Sequence, residues 1–250
     1  MERWVGKVAL ITGASEGIGA SIAEKLVQSE MKVIGCARNI DKLNKTASKI
    51  NNVGPGEMYP YQCDLNEESQ VLGMFQFIRE KFKTLHVCVN NAAVIHDTSI
   101  LEGKTEEWKH MLNVNVLAVL ICSRESVKLM RESEVDDGHI INLNSVAGHR
   151  IVHKPLYGIT KFALSAINQG LRVELIGAKT HIRSTQISPG FVETYLLDKV
   201  YPGQGKCDKL FSEMECLKTE DISEAVLYVL GSHPRVNVND IIIRPTEQLE

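Results

Sequence analysis

Six cysteines are present, yet no two form a CxxC pair, and the eight histidines show no ligand spacing. That pattern argues against a zinc site, and no metal is expected. Cys36, Cys63, Cys88, Cys122, Cys207 and Cys216 are scattered, several of them inside apolar strand-like runs. That distribution suits buried reduced thiols in a cytosolic protein better than a disulfide frame. No long basic run interrupts a chain of formal net charge -3, which argues against nucleic acid or an anionic membrane as the main partner. No apolar stretch is long enough to span a bilayer. The start, Met1-Glu-Arg-Trp-Val-Gly-Lys7, lacks the apolar core and cleavage site of a signal peptide. A cytoplasmic location is therefore expected, where the Asn44-Lys-Thr46 glycosylation sequon would go unused. No internal repeat or linker divides the 250 residues, whose 44% hydrophobic and 24% charged content is ordinary for one globular domain with a small partner.

Short β-rich apolar runs alternate with amphipathic segments from end to end, the mark of βαβ units and a parallel sheet. Strands are expected near 7–12, 31–36, 58–63, 85–90, 139–144, 181–187 and 239–243. Helices are expected near 17–29, 39–50, 66–82, 105–131, 157–178 and 220–231, covering both faces of the sheet. The fold class read from this pattern is α/β, a Rossmann-like doubly wound sheet of seven parallel strands in a single domain. Residues 191–217 break the alternation with an apolar stretch interrupted by Pro202, Gly203 and Gly205, and read as a lid over a pocket.

Directly after the first strand comes Thr12-Gly13-Ala-Ser15-Glu16-Gly17-Ile18-Gly19. Glycines there allow a tight turn and close approach to a pyrophosphate, whose charge then sits at the positive end of the following helix. The second strand ends at Cys36-Ala37-Arg38, nineteen residues beyond Gly19, where a carboxylate would grip the ribose hydroxyls of NAD. No acid stands there, and Arg38 can bond a 2′-phosphate, so NADP(H) is favoured as cofactor. Glu16 points the other way, since a neutral or basic neighbour would better suit that phosphate.

Tyr157-Gly-Ile-Thr-Lys161 supplies the chemistry. Residues at i and i+4 share a helix face, so Lys161 can stand beside Tyr157. A free tyrosine titrates near ~10, and an ammonium held beside it would lower that value and make the phenol an acid-base group at neutral pH. Ser145 lies twelve residues upstream at the end of an apolar run.

TGASEGIG (12–19), NNAA (90–93), Asn115, Ser145, YGITK (157–161) and SPG (188–190) occur in the order and spacing of the short-chain dehydrogenases/reductases, which the whole chain resembles. DDGHIINLNSVAGHR (136–150), ECLKTEDISEAVLYVL and IIIRPTEQ are similar to the branch containing insect NADP-dependent farnesol dehydrogenases and vertebrate dehydrogenase/reductase family member 11. The resemblance implies that Tyr157 is the general acid/base, that Lys161 lowers its pKa and holds the nicotinamide ribose, and that Ser145 bonds the substrate oxygen. It implies a proton-relay water at Asn115. It assigns cofactor contacts to Gly13, Ser15, Glu16, Gly17, Ile18 and Gly19, to Arg38 with Asn39, and to Asp64-Leu65 at the adenine. Asn91, Ala92 and Ala93 would line the ribose, while Pro189, Gly190, Val192 and Thr194 would close over the nicotinamide.

Three departures bear on this: Ala93 stands where glycine is usual, Asn144 replaces a common serine, and the stretch from Ser145 to Tyr157 is a few residues shorter than in similar relatives. The expected reaction is hydride transfer between NADP(H) and a lipophilic alcohol or carbonyl, with Phe191, Tyr195, Leu196, Leu197 and Phe211 of the lid supplying apolar contact. Farnesol or a related isoprenoid alcohol leads by resemblance; a ketosteroid or a broad set of carbonyls is the alternative, and a non-catalytic NADP(H)-binding scaffold a third reading. The resemblance also implies a homodimer or homotetramer paired through the helices near 105–131 and 157–178.

Overall fold

The computed structural model describes residues 1–151, 155–194, 196 and 215–249. Seven strands alternate with helices: β1 Val8–Thr12, β2 Lys32–Ala37, β3 Glu57–Gln62, β4 Val87–Asn90, β5 His139–Leu143, β6 Arg183–Pro189 and β7 Asp240–Ile243. All pairings are parallel, in the order β3-β2-β1-β4-β5-β6-β7. Strands β1, β4, β5 and β6 are buried at every position, because helices cover both faces and leave no solvent side that polar alternation could serve.

On one face pack α1 (Gly17–Gln28), α2 (Ile40–Ile50) and α7 (Thr219–Gly231), through Ile22, Leu26, Leu43, Ile222 and Val226. On the other pack α3 (Glu68–Phe82), α5 (Ala118–Glu132) and α6 (Pro155–Gly177), through Val71, Phe75, Ile121, Leu129 and Leu175. Each large apolar side chain taken out of water in these two layers stabilises the fold by about 1.5–3 kcal/mol before entropy is set against it. Local signals set the helix ends. Asn39 caps α2 by accepting from Lys42 N–H at 2.9 Å, and Asp221 in the first turn of α7 accepts from Lys218 N–H at 2.7 Å.

The helix expected over 105–131 is three pieces: α4 (Thr105–Leu112), a π segment (Asn113–Leu117) and α5. One residue more per turn barely disturbs an apolar period, so the sequence pattern hides the break. Helix α6 begins two residues before the expected start, with Pro155 in the first turn, where a missing N–H costs nothing. No described helix is long and apolar enough to cross a membrane. The described cysteines Cys36, Cys63, Cys88, Cys122 and Cys216 are free and buried.

Most of the lid segment 191–217, including Tyr195, Leu197 and Phe211, lies outside the described residues, as does Cys207. Its two ends lie side by side. Val192 bridges Leu217 in parallel, Glu193 N–H donates to Leu217 O at 2.8 Å, and Leu217 N–H donates to Phe191 O at 3.0 Å.

Candidate active site

The chain order reverses between β1 and β4, and beyond the carboxyl ends of these strands lies a cavity of about 790 Å³. Open parallel sheets bind ligands at such a switch point. The cavity floor at one end is the glycine loop. Gly13 (φ +70°) and Gly17 (φ +59°) take left-handed backbone that a side chain would strain. A Cβ on Gly13 would sit 2.9 Å from Ala92 Cα. Gly19 does not line the cavity; a Cβ there would strike the Gly13 carbonyl, so its work is to let α1 close on the loop.

Asn91 braces the same turn, donating from Nδ2 to the Thr12 carbonyl at 2.8 Å and the Gly13 carbonyl at 3.1 Å. Thr12 Oγ1 in turn accepts from the Asn91 and Ala92 N–H groups, both at 3.0 Å. Ala93 is not among the non-glycine residues with left-handed backbone, so alanine fits its turn without strain. A bare loop opening onto the N-terminus of α1 is the shape a dinucleotide pyrophosphate needs. The cradle fits such a cofactor.

Ser15, Glu16, Ile18, Arg38, Asn39, Asp64, Leu65, Asn91, Ala92 and Ala93 all line this end as expected, and Pro189, Gly190, Val192 and Thr194 line the other. Among the described residues no carboxylate pairs with the Arg38 guanidinium. Asp64 Oδ1 accepts from Asn66 N–H at 3.0 Å, which turns the chain after β3.

At the far end Ser145, Tyr157 and Lys161 face the cavity together. Ser145 follows β5 and caps a single 3-10 turn, Val146–Gly148, accepting from Ala147 N–H at 3.1 Å. Its side chain also hydrogen-bonds Tyr157. Lys161 lies one turn beyond Tyr157 on α6, with Nζ 5.6 Å from the phenol ring centre. Lys161 is 3% exposed, and its Nζ donates to the Leu143 carbonyl at 2.9 Å.

The electrostatics run against the expectation that Lys161 lowers the Tyr157 pKa. Burial pushes the half-buried Tyr157 phenol above the tyrosine range, with the Ser145 hydrogen bond opposing it. Burial also holds the Lys161 ammonium down to about 7 from lysine's ordinary 10.5. Helical spacing reports proximity, whereas desolvation of both groups decides the direction in the cofactor-free protein.

Asn115 sits in the π segment but outside the cavity lining. Its side chain brackets Val94, accepting from the N–H and donating to the carbonyl, both at 2.8 Å, and donates to Thr160 Oγ1 at 3.1 Å. Thr160 Oγ1 donates to the Tyr157 carbonyl at 2.8 Å, so Asn115 locks the Tyr157 turn to the chain after β4. Both Nδ2 hydrogens are thereby used, and Oδ1 keeps one lone pair. Asn144, which stands where a serine is common, is 5% exposed and donates to Ser165 Oγ at 2.9 Å and Gln186 Oε1 at 3.2 Å.

Lys42, Val94, Ile95 and Ile151 also line the cavity, although nothing in the sequence singled them out, and so does Gln248, the last residue of IIIRPTEQ. Gln248 reaches back from the last residues, where its Oε1 accepts from Phe191 N–H at 3.0 Å. Only the mark IIIRPTEQ pointed at that region.

Residues 7–205 match the model of the family described as short chain dehydrogenase. The chain belongs to this family. The short chain dehydrogenase assignment agrees with dehydrogenase/reductase SDR family member 11 of Gallus gallus, 48% identical over 254 residues that take in 100% of both chains. The farnesol dehydrogenase of Aedes aegypti is 36% identical over 249 residues, 98% of each chain. The closed form of a serine dehydrogenase complexed with NADP+ superposes with a TM-score of 0.88 at 28% identity, covering 97% of this chain and 96% of that one. This short chain dehydrogenase is thus an oxidoreductase with the Rossmann-like single-domain fold, and its glycine cradle is built for a nicotinamide dinucleotide.

Proposed function

We propose that the chain is an NADP(H)-dependent alcohol dehydrogenase/carbonyl reductase acting on a lipophilic substrate, with Tyr157 as general acid/base. The observation that carries this reading is the opening of Ser145, Tyr157 and Lys161 into the same cavity as the glycine loop and Arg38. A bound nicotinamide would supply the hydride donor or acceptor and, when oxidised, a positive charge. Ser145 Oγ would bond the substrate oxygen. Tyr157, kept protonated by burial, is poised to give a proton to a carbonyl oxygen as it gains charge. Lys161 would hold the nicotinamide ribose. Taking a proton from an alcohol instead requires the phenolate, which positive charge beside it favours. A proton-relay water at Asn115 would rest on its backbone or on the remaining Oδ1 lone pair, since both Nδ2 hydrogens are used.

NADP over NAD rests on Arg38 just beyond β2, in the absence of an acid at that position. The serine dehydrogenase complexed with NADP+ supports it as a structural neighbour.

The apolar residues Val94, Ile95, Val146, Ile151, Phe191 and Leu196 around the substrate end favour a lipophilic alcohol. Farnesol or a related isoprenoid leads, on the likeness to the Aedes aegypti enzyme. The clamped ends at Val192 and Leu217 support a lid over 191–217. Exposed Leu117 at the end of the π segment and Leu120 on α5, with Phe162, Val173 and Ile176 on α6, favour a homodimer or homotetramer. We place the protein in the cytoplasm.

Incubating purified protein with NADP+ and a panel of isoprenoid, steroid and small secondary alcohols tests the reading through NADPH absorbance. Turnover should be fastest with the isoprenoids. Steroid preference would move the assignment to the ketosteroid alternative, and inactivity across the panel with tight cofactor binding would turn it to a non-catalytic scaffold.

A further inference from the structure

Glu16 is the residue of the glycine loop that least suits a 2′-phosphate, and the structure gives it a partner. Lys42 Nζ lies 2.5 Å from Glu16 Oε2, across 26 residues of sequence. Both side chains line the cavity beside Arg38 and Asn39. Lys42 is placed there by construction. It is the third residue of α2, its N–H is held by the capping Asn39 side chain at 2.9 Å, and α2 is tied to the glycine loop by Thr46 Oγ1 donating to the Ser15 carbonyl at 2.8 Å.

We propose that Lys42 determines specificity for the 2′-phosphate, exchanging Glu16 for the phosphate when a 2′-phosphorylated adenine nucleotide binds. This rests on the NADP reading above. Without Lys42, Arg38 stands alone against the carboxylates of Glu16 and Asp64, and a group of charge about −2 would enter a net negative mouth. With it, two cations balance the two carboxylates and both can reach the phosphate. The exchange is cheap, since the pair is exposed, with 44% and 42% of the two side chains accessible, and an ion pair so exposed holds its partners by no more than roughly a fivefold preference. A dianion between two cations is the stronger attraction, because charge-assisted bonds to phosphate oxygens exceed an exposed carboxylate pair. Lys42 also works against NAD. While it covers Glu16, the one carboxylate of the glycine loop is not open to accept from ribose hydroxyls.

The test uses adenine nucleotides that lack the nicotinamide, so no turnover enters. Isothermal titration with 2′,5′-ADP and with 5′-ADP is run on the wild type, Lys42→Met, Lys42→Arg and Arg38→Met, with thermal melts to confirm folding. Wild type should prefer 2′,5′-ADP. Lys42→Met should cut that preference about tenfold, about 1.4 kcal/mol, by weakening 2′,5′-ADP while leaving 5′-ADP unchanged or tighter. Lys42→Arg should restore most of it, and added salt should narrow the wild-type preference toward that of Lys42→Met. If Arg38→Met loses the preference while Lys42→Met keeps it, Lys42 is only the surface partner of Glu16 and the proposal fails alone. If wild type itself shows no preference, the NADP reading fails and takes this proposal with it.

Discussion

Replacing Lys161 with methionine should stabilise the cofactor-free protein below pH 7. The ammonium is 3% exposed and meets no carboxylate among the described residues, only the Leu143 carbonyl at 2.9 Å. Burial lowers its pKa from 10.5 to about 7. At 1.36 kcal/mol per pH unit that drop bounds the cost of charging Lys161 in place at about 5 kcal/mol. Methionine keeps the apolar stem and removes the charge, but it leaves the Leu143 carbonyl without its donor, at a cost of about 1–3 kcal/mol. The net gain is roughly 2 kcal/mol, which for a chain of this size raises Tm by roughly 4–8 °C.

The gain depends on pH in a defined direction. Between about 7 and 10.5 the unfolded lysine holds a proton that the folded one lacks, so wild-type stability rises with pH across that window. The penalty is complete below it and gone above it. Thermal unfolding of wild type and Lys161→Met at pH 6.5, 8.5 and 10.5 should therefore show a gap that closes as pH rises and then reverses, because the uncharged amine still donates to the Leu143 carbonyl. A variant less stable than wild type at pH 6.5, or a gap that ignores pH, would refute the reasoning.

Two further outcomes follow from other parts of the structure. Arg38→Asp should shift cofactor preference toward NAD, read as paired kcat/KM values for the two cofactors, because an acid at the end of β2 binds ribose hydroxyls and repels the 2′-phosphate. Unchanged selectivity would make Arg38 a surface charge. His86 Nδ1 accepts from Val8 N–H at 3.2 Å, and burial lowers its pKa to about 4. The folded imidazole is neutral where the unfolded one charges, so stability should fall as pH drops from about 6.5 to about 4. His86→Asn, which keeps an acceptor, should flatten that acid limb in thermal melts by roughly 1–3 kcal/mol.

Much of this architecture is legible in the residues. Continuous apolar strand runs and amphipathic helices gave element positions to within about two residues, and all the expected site residues but Gly19 and Asn115 converge on one cavity. The misses have physical causes. The π segment at Asn113–Leu117 leaves the hydrophobic period nearly intact. The Glu16–Lys42 pair joins two elements that only the tie between α2 and the glycine loop brings together. The directions of the Tyr157 and Lys161 shifts depend on how far each group is removed from water, which no i, i+4 spacing reports. The bracket made by Asn115 could not be read from the sequence, because its partners Val94 and Thr160 lie on separate segments.

Tyr157→Phe tests the central claim most directly, since it removes one hydroxyl from the cavity and leaves Arg38 and the glycine loop intact. Turnover of the best alcohol with NADP+ should fall at least ~10²-fold, the range of a lost general acid-base group, while NADPH titrated by its fluorescence binds within a few-fold of wild type. A variant that keeps most of the wild-type rate would contradict the assignment of Tyr157 as the proton-handling group.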